Sequence, residues 1–282
     1  MNGVLIIDKP EGMTSHDVVL TIRKRFRSPK VGHFGTLDPM ATGVLPVALG
    51  KATRFGQFIS SSPKVYEGAI RFGFATNTYD RDGTPTTDER PLEGNVEKAM
   101  HSLIGVLDQV PPPFSAKKIG GVPSYKLARK NRTIEMPASR VHIERFEVIE
   151  FNAPRMTFRV VCSPGTYIRS LAHDLGQRLG CGAHLTALRR THSGEFRIEN
   201  AVTLDACAPP DLIPIEALLT SLPMIEVSAT EEDRVVHGNE IRGAAHGPLA
   251  RIFNKKGEFI ALASVQSGWV RPRLVLTSIN SD

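Results

Sequence analysis

The sequence predicts an α+β protein in two parts, a larger N-terminal domain and a small C-terminal β module. Strand-like and helix-like patterns succeed each other through most of the chain, and no internal repeat is present. Prolines at Pro209, Pro210 and Pro214 then mark a shift to short strands that are punctuated by glycines. We therefore assign residues 1–222 to the first part and residues 223–282 to the second.

The composition indicates a globular protein with an anionic partner. The chain has 282 residues, a length that suggests two domains, and it is 41% hydrophobic and 23% charged, which suffices for a substantial core. The formal net charge is +6 and the isoelectric point is near 9.3, a moderate basicity that favours a partner such as nucleic acid.

The cysteines and the apolar runs bear on the compartment. Cys162, Cys181 and Cys207 are widely spaced and form no CxxC pair, so the sequence predicts neither a zinc site nor a disulfide framework. Asp8 and Lys9 interrupt the first apolar run, and no stretch approaches the length of a membrane span. We expect a soluble cytoplasmic protein.

The N-terminal elements are a short strand over residues 4–7 and a helix over residues 14–26. Lys9-Pro10 ends the strand, and Thr14 is a favourable first residue for the helix. Apolar residues recur at helical spacing along the helix, at Val18, Val19, Ile22 and Phe26.

Residues 32–45 read Gly-His-Phe-Gly-Thr-Leu-Asp-Pro-Met-Ala-Thr-Gly-Val-Leu and predict a rigid loop that enters a buried strand. The glycines permit positive φ, and Pro39 biases Asp38 toward an extended or turn backbone. The loop therefore presents one acid, Asp38, and one imidazole, His33. Taken alone, an aspartate in such a loop most often caps a turn through its own backbone.

Residues 64–74 alternate as a strand that carries Tyr66. An isolated tyrosine on such a strand face is usually a core residue. A polar loop follows and reads Thr-Asn-Thr-Tyr-Asp-Arg-Asp-Gly, with Asn77 and Asp80 as its distinctive members. Further along, Asn95 is a candidate helix cap.

A proline-rich segment opens a basic insertion over about residues 112–135. The prolines exclude regular structure at its start. Basic residues without acids, interleaved with an aromatic residue, suit a phosphate backbone and exposed bases, although a solvated basic loop is the plainer reading. The candidate RNA-binding residues are Lys117, Lys118, Lys126, Arg129, Lys130 and Arg132.

Two strands over residues 141–151 and 156–162 lead into Ser163-Pro164-Gly165, which breaks the second strand. A helix then follows over about residues 166–179. Its apolar stripe consists of Ile168, Leu171, Leu175 and Leu179, and Tyr167 and Arg169 flank the start of this stripe. Residues 215–222 predict a short helix before the C-terminal module.

Three of these segments together resemble the TruB-type bacterial pseudouridine synthases that modify the T-loop uridine of tRNA. The segments are Gly-x-Leu-Asp-Pro-x-Ala-x-Gly-Val-Leu, Ser-x-Gly-Thr-Tyr-Ile-Arg-Ser-Leu, and Ala-His-Leu-Thr-Ala-Leu-Arg-Arg, in the order of the family. The resemblance implies a mixed, mostly antiparallel sheet with a central cleft, and a PUA-like C-terminal β-barrel.

The resemblance also implies roles for residues of this chain. Asp38 is the nucleophile, Tyr66 is a catalytic-site residue that stacks on the uracil, and Arg169 pairs with Asp38. His33 and Tyr167 contact the base, and Leu188 lines its site. The family commonly has an aspartate where Asn77 stands, so only the role of that one position is affected.

The implied reaction isomerises uridine to its C-glycoside and needs no cofactor and no metal. A carboxylate nucleophile divides one difficult step into two, and a neighbouring guanidinium favours its ionised form. Whether Asp38 attacks the ribose or promotes a glycal route stays open. The implied partner is the T-arm and elbow region of tRNA, bound by a monomer without a protein partner.

Two other classes of function remain for a chain of this kind. A non-catalytic tRNA-binding factor needs neither Asp38 nor Arg169. A nucleoside glycosidase normally places two acids on either side of the scissile bond, and the motif around Asp38 contains no second acid.

Overall fold

The computed structural model describes residues 1–115 and 136–276, together with the backbone of residues 118–119 and 122–123. The α-helices of these residues are α1 (Ser15–Arg25), α2 (Gly56–Ile59), α3 (Val96–His101), α4 (Ile168–Arg178) and α5 (Ala229–Val236). Short 3-10 helices occupy Gly50–Phe55, Ile198–Asn200, Pro209–Asp211 and Ile215–Ala217. None of the described helices has both the length and the apolar character that a membrane crossing requires.

The strands are more numerous than the helices in the described residues. They are β1 (Gly3–Lys9), β2 (Val31–His33), β3 (Thr42–Leu49), β4 (Lys64–Phe72), β5 (Gly105–Gln109), β6 (Lys118–Ile119), β7 (Val122–Pro123), β8 (Ser139–Asn152), β9 (Arg155–Cys162), β10 (Ala183–Ser193), β11 (Phe196–Arg197), β12 (Val202–Thr203), β13 (Ile213–Pro214), β14 (Met224–Glu226), β15 (Ile241–Arg242), β16 (Leu249–Phe253), β17 (Phe259–Gln266) and β18 (Trp269–Val275).

The main sheet is mixed and mostly antiparallel, which confirms the predicted α+β architecture. Its order is β12-β1-β3-β10-β4-β9-β8-β5, with β2, β11 and β13 paired at its side. Two pairs, β1 with β12 and β3 with β10, are parallel. The central strands β3, β10 and β4 come from distant parts of the chain, so their contact region collects segments that are far apart in sequence.

Helix α1 begins where its sequence predicts. Thr14 and Asp17 form a capping box, in which each side chain satisfies a backbone N–H of the other residue. Such a cap stabilises a helix by about 1 kcal/mol. The helix buries its apolar stripe, including Val18 and Ile22, against the core.

The core of the large domain lies on one face of the main sheet. Strand side chains such as Leu45 and Ile70 pack there with Leu171 and Leu175 of α4. The apolar spacing of α4 predicted this contact. Because α4 lies against the sheet, its first turn is fixed beside the centre of the sheet, where β4 and β10 pair.

A second sheet forms the C-terminal PUA-like β module. Its order is β14-β16-β17-β18-β15, and only the β14–β16 pair is parallel. Helix α5 packs on this sheet through the fully buried Val235. This module corresponds to the glycine-punctuated strands that the sequence predicts after Pro214.

The two sheets share an apolar cluster. Val4 and Ile6 alternate with the core residues of β1 and point to the opposite face, where they meet Phe259 and Leu274 of the module. The rings of Phe55 and Phe259 lie 5.9 Å apart between centroids. The module therefore supports β1, the strand that ends at Lys9.

The prediction of a helix over residues 215–222 is wrong. The structure has a single 3-10 turn, Ile215–Ala217, after which Leu218 is extended and Leu219 adopts a left-handed φ of 57°. The buried side chains of Ile215 and Leu218 explain the apolar pattern, since both pack into the cluster between the sheets. Tertiary packing thus overrides the local helical pattern.

Candidate active site

A cavity of about 450 Å³ opens at the centre of the main sheet. Its size lies in the range of sites that hold small molecules or single nucleotides. The walls come from the glycine-rich loop, from β4 and β10, and from the turn that precedes α4. The lining residues are Gly35, Thr36, Leu37, Asp38, Ser60, Lys64, Tyr66, Pro164, Gly165, Thr166, Tyr167, Ile168, Arg169, Leu188 and Arg190.

The glycine-rich loop is fixed from several sides. The Ser15 hydroxyl accepts a hydrogen bond from Leu37 N at 2.8 Å and donates to Leu37 O at 3.1 Å. Gly43 has a φ of +99°, and a Cβ there would lie 2.3 Å from Arg190 O. Only glycine therefore permits β3 and β10 to approach this closely.

A buried lysine holds the base of the same loop. Lys9 is fully buried, and its Nζ donates to Pro10 O, Met13 O and Pro39 O at 2.8, 2.6 and 3.2 Å. Burial lowers the pKa of Lys9 to about 8, while the nearby Asp38 acts in the opposite direction. In the sequence Lys9 only ends a strand, and no periodicity indicates this role.

Asp38 and Arg169 meet side-on at the cavity wall. Arg169 Nη2 donates to Asp38 Oδ1 at 2.9 Å, and Nε lies 2.8 Å from Oδ2. The Arg169 side chain is 6% exposed and that of Asp38 is 34% exposed. The carboxylate is therefore held by a buried cation while it remains open to the cavity, an arrangement in which it stays available to a ligand.

Arg169 is fixed by more than Asp38. Its Nη1 donates to Thr78 O at 3.1 Å and lies 3.3 Å from Asp80 Oδ2, and its Nη2 also donates to Phe114 O at 3.0 Å. Asp80 is itself held by the Thr78 hydroxyl at 2.5 Å. Two residues of the polar loop at 76–83, Thr78 and Asp80, thus contact the guanidinium.

Asn77 lies outside this arrangement. It is exposed, and its Oδ1 accepts from Thr84 N at 3.0 Å within the loop. Its hydrogen bond stabilises the turn, which an asparagine does as well as an aspartate. The asparagine at this position takes no part in the described contacts of Arg169.

Tyr66, Leu188 and Arg190 share one face of the paired strands β4 and β10. Tyr66 is the register partner of Arg190, and Leu188 lies two residues before Arg190 on the same strand face. Tyr66 is 8% exposed, and burial raises the pKa of its phenol, while Arg190 acts in the opposite direction. Tyrosine and leucine therefore form an apolar wall opposite the carboxylate.

Arg190 is a site residue that the sequence analysis did not single out. It is 1% exposed, and it donates through Nε to Val44 O at 2.8 Å and through Nη2 to Gly35 O at 3.0 Å. The strand alternation from Leu188 contained a signal for it, since residues two apart share a face. Its contacts with the loop, however, required the tertiary structure.

The side-chain amide of Gln109 holds the backbone of Tyr167 at the start of α4 through two hydrogen bonds. Gln109 is 3% exposed, its Oε1 accepts from Tyr167 N at 2.8 Å, and its Nε2 donates to Tyr167 O at 3.1 Å. The Ser170 hydroxyl also donates to Val110 O at 2.7 Å. The end of β5 therefore fixes the turn that carries Tyr167 and Arg169.

The structure brings Asp38, Tyr66, Arg169, Tyr167 and Leu188, which the family resemblance singles out, to one cavity. His33 is absent from the described lining residues. It ends β2, and burial lowers the pKa of its imidazole.

The six candidate RNA-binding residues, Lys117, Lys118, Lys126, Arg129, Lys130 and Arg132, have side chains outside the described residues. Their assignment stays a prediction. Within the described residues, no group of three or more His, Cys, Asp or Glu side chains is arranged to hold a metal ion.

Lys64 is the second lining residue that the sequence analysis did not single out. It lies two residues before Tyr66 on the same strand face and is 4% exposed. Burial lowers the pKa of Lys64 to about 8, and the nearby Arg190 acts in the same direction. Lys64 and Arg190 therefore add two further cations to the lining of the cavity.

Comparison with protein families gives two matches along the chain. Residues 23–168 match the model described as TruB family pseudouridylate synthase (N terminal domain). Residues 169–209 match the model described as tRNA pseudouridylate synthase B C-terminal domain. The first match includes Asp38 and Tyr66, and the second includes Arg169 and Leu188. Both matches end before the C-terminal β module.

The similarity to other proteins extends over nearly the whole chain. The tRNA pseudouridine synthase B of Thermobifida fusca (strain YX) is 45% identical over 288 residues, covering 97% of this chain and 98% of that protein. The protein of the same name from Solibacter usitatus (strain Ellin6076) is 41% identical over 281 residues, covering 94% and 96%.

Solved structures of similar fold include chains of two complexes. A chain of a Cbf5-Nop10-Gar1 complex is 30% identical and has a TM-score of 0.73. The match covers 98% of this chain and 85% of that one. A chain of an H/ACA RNP bound to a substrate RNA containing 2'-deoxyuridine is 27% identical with a TM-score of 0.73, and the match covers 99% of this chain and 86% of that one.

Proposed function

Because this chain belongs to the TruB family of pseudouridylate synthases, we propose that it isomerises a uridine of tRNA to pseudouridine. The target is the T-loop uridine, position 55 of the tRNA. The motif resemblance and the names of the relatives support this substrate. The enzyme is an isomerase, so the atoms of substrate and product are the same.

The Asp38–Arg169 pair is the observation that carries the proposal. It places one ionised carboxylate, fixed in orientation by a buried guanidinium, at the wall of a cavity of nucleotide size. Simple RNA binding uses cations toward phosphates and gains nothing from a carboxylate held in this way. A reaction at a sugar or a base does use it, because a fixed carboxylate is a ready nucleophile.

The reaction proceeds through the carboxylate of Asp38. The N1–C1' bond breaks as the nucleophile reacts with the nucleoside, the uracil rotates, and Asp38 leaves as a free carboxylate when C5 bonds to C1'. The C5 proton is then lost and N1 gains a proton, so no group donor and no redox partner take part. Arg169 stabilises the anionic form of Asp38 before and after the reaction.

The opposite wall positions the base. Tyr66 and Leu188 offer flat and apolar surface to the uracil, and Tyr167 closes the side nearest α4. The uridine leaves its stack to enter the cavity, as a base does in other enzymes that act on bases. His33 is not among the described lining residues, and its part is to fill the place that the uridine leaves or to hold the displaced loop of the RNA.

The basic insertion and the C-terminal module hold the rest of the tRNA. Lys117, Lys118, Lys126, Arg129, Lys130 and Arg132 contact its backbone, in accordance with the overall charge of +6. Residues 1–222 act as the catalytic domain and residues 223–282 as a module that binds RNA. The protein works in the cytoplasm as a monomer, and its contacts with the RNA need no second protein.

A nucleoside glycosidase is disfavoured by the carboxylates of the site. Such enzymes normally place two carboxyl groups on either side of the bond. In the described lining of the cavity, Asp38 is the one acid. Asp80 is buried, pairs with Arg169, and is not among the described lining residues.

Tritium release from C5-tritiated uridine in a tRNA transcript tests the proposal. Pseudouridine formation releases the label to water, because C5 exchanges its hydrogen for the bond to the sugar. Chromatography of the digested product distinguishes the alternatives: pseudouridine supports the proposal, and free uracil indicates a glycosidase. Binding of the tRNA without tritium release from any uridine would overturn it.

A further inference from the structure

The lining of the active-site cavity holds charged residues of two kinds. Asp38 and Arg169 form the ion pair where the proposed reaction occurs. Lys64 and Arg190 line the same cavity. The proposed chemistry assigns no role to these two cations.

Lys64 and Arg190 are buried without a carboxylate partner. Lys64 Nζ donates to Ser62 O at 2.7 Å and to Ser60 O at 3.5 Å, which are neutral carbonyl oxygens. Arg190 likewise donates to the carbonyl oxygens of the loop and of β3. Among the described residues, neither cation forms an ion pair with an acid.

Uncompensated buried cations are unfavourable and attract an anion. A buried charge is normally paired, because desolvation penalises an isolated one. Burial and the neighbouring Arg190 already lower the pKa of Lys64 to about 8. An anion that entered the cavity would restore the missing counter-charge and favour the protonated lysine.

The space in front of the two cations is kept open by a glycine. A Cβ on Gly35 would lie 3.4 Å from Arg190 Nη1 and 4.0 Å from Lys64 Cε. Gly35 also has a φ of +103°, which side chains rarely adopt. The absent side chain thus leaves room for a ligand atom between the loop and the cations.

We propose that Lys64 and Arg190 form an anion subsite that binds a backbone phosphate of the substrate RNA next to the target uridine. This inference rests on the proposed function, since it places the uridine itself beside Asp38. One cavity then recognises two parts of the RNA, the base with its sugar and an adjoining phosphate. Lys64 is a specificity residue that fixes the register of the RNA.

Neutral linkages in the substrate test this subsite. Three T-arm stem-loop RNAs are prepared: one with natural linkages, one with a methylphosphonate 5' to the target uridine, and one with a methylphosphonate 3' to it. Single-turnover pseudouridine formation is measured for the wild type, for Lys64→Met and for Lys64→Gln. Lys64→Gln retains a hydrogen-bond donor without the charge. Lys98→Met, on the exposed face of α3, is the matched control.

We expect one of the two methylphosphonates to lower the single-turnover efficiency of the wild type and of Lys98→Met by about ten- to hundredfold. Lys64→Met and Lys64→Gln should be slower on the natural RNA by a similar factor and insensitive to that same linkage. The sensitive linkage identifies which phosphate is bound.

Two results would overturn the subsite. One is a wild type that is insensitive to both neutral linkages. The other is a Lys64 variant, folded by its thermal melting curve, that loses the same factor as the wild type on the neutral RNA. Failure of the proposed function is a different outcome, because the wild type would then form no pseudouridine on the natural RNA.

Discussion

Asp80 and Arg169 form a buried ion pair behind the cavity, with Oδ2 and Nη1 3.3 Å apart and side chains that are 7% and 6% exposed. Asp38 contacts the Nε and Nη2 edge of the same guanidinium. One cation therefore lies between two carboxylates, of which only Asp38 lines the cavity. We infer that Asp80 orients Arg169 and that Arg169 orients Asp38.

The first prediction concerns this orienting role. Asp80→Asn keeps the shape of the side chain and removes its charge, so Arg169 loses one charged partner and keeps Asp38. The single-turnover rate should fall by about ten- to hundredfold, because a hydrogen bond to a charged group contributes about 1.5–3 kcal/mol. Affinity for tRNA, measured by filter binding, should be unchanged. Asp82→Asn is the control, since Asp82 is exposed. An unaltered rate in Asp80→Asn would show that Asp80 does not orient the site.

The second prediction concerns Asp38. Asp38→Asn preserves size and turn-capping ability and abolishes the negative charge. An amide is a very poor nucleophile, so C5-tritium release with excess enzyme should fall to background while tRNA affinity stays similar. Asp108→Asn, an exposed change on β5, should stay fully active. Substantial isomerisation by folded Asp38→Asn would leave Asp38 with a turn-capping role only.

The third prediction concerns the basic insertion. Replacing Lys126, Arg129 and Lys130 by alanine should weaken tRNA binding and reduce its salt dependence. If each residue neutralises one phosphate, the slope of log K against log salt should flatten by about 0.7–0.9 per residue removed. Binding is measured over a salt series, with Lys98→Ala as the control. A slope equal to that of the wild type would mean that these residues do not meet the RNA backbone.

Helices α1, α3 and α4 and the strands β1, β3, β4, β8 and β9 could be predicted because their signals are local. The start of α1 at Thr14 and the apolar stripe of α4 each depend on residues that are close together in the sequence. The structure confirms both. Asn95 likewise caps α3, accepting from Lys98 N at 2.8 Å. Local patterns predict an element because its backbone hydrogen bonds are themselves local.

The pairing of distant elements could not be predicted from the residues in this way. Tyr66 is opposite Arg190 only through the β4–β10 register, and β-bulges shift that register on both sides of the pair. The edge strand β5, with Gln109 at its end, has no clear alternation and was missed. The grouping of Asp38 with Arg169 came from the family resemblance, and the structure then supplied the distances.

The fourth prediction concerns acid stability. Burial lowers the pKa of His33, His173 and His184 in the folded protein. Above the unfolded value of about 6.5 both states are neutral, and below it the unfolded chain binds more protons. The free energy of unfolding should therefore fall as the pH is lowered from about 7.5 to about 5.5.

His173 allows the source of this slope to be checked. Its ring stacks on Tyr79, with centroids 3.8 Å apart and planes inclined by 10°. His173→Phe should keep the stacking and reduce the pH dependence of urea unfolding. An identical slope in His173→Phe and the wild type would exclude His173 as a contributor.

The last prediction concerns the joint between the two sheets. Phe259 is 4% exposed and lies 5.9 Å from Phe55 and 5.1 Å from Phe253 between ring centroids. Phe259→Ala should lower the free energy of unfolding by about 3–5 kcal/mol, because it leaves a cavity beneath β1 and β3. Met224→Ala, an exposed change in the same module, should cost far less. If the module serves only to bind RNA, Phe259→Ala would weaken tRNA binding and leave the urea midpoint of the catalytic domain unchanged. We expect instead that Phe259→Ala shows one cooperative unfolding transition at a lower urea concentration. The reason is that β1 packs on one face against the core of the large domain and on the other against the module.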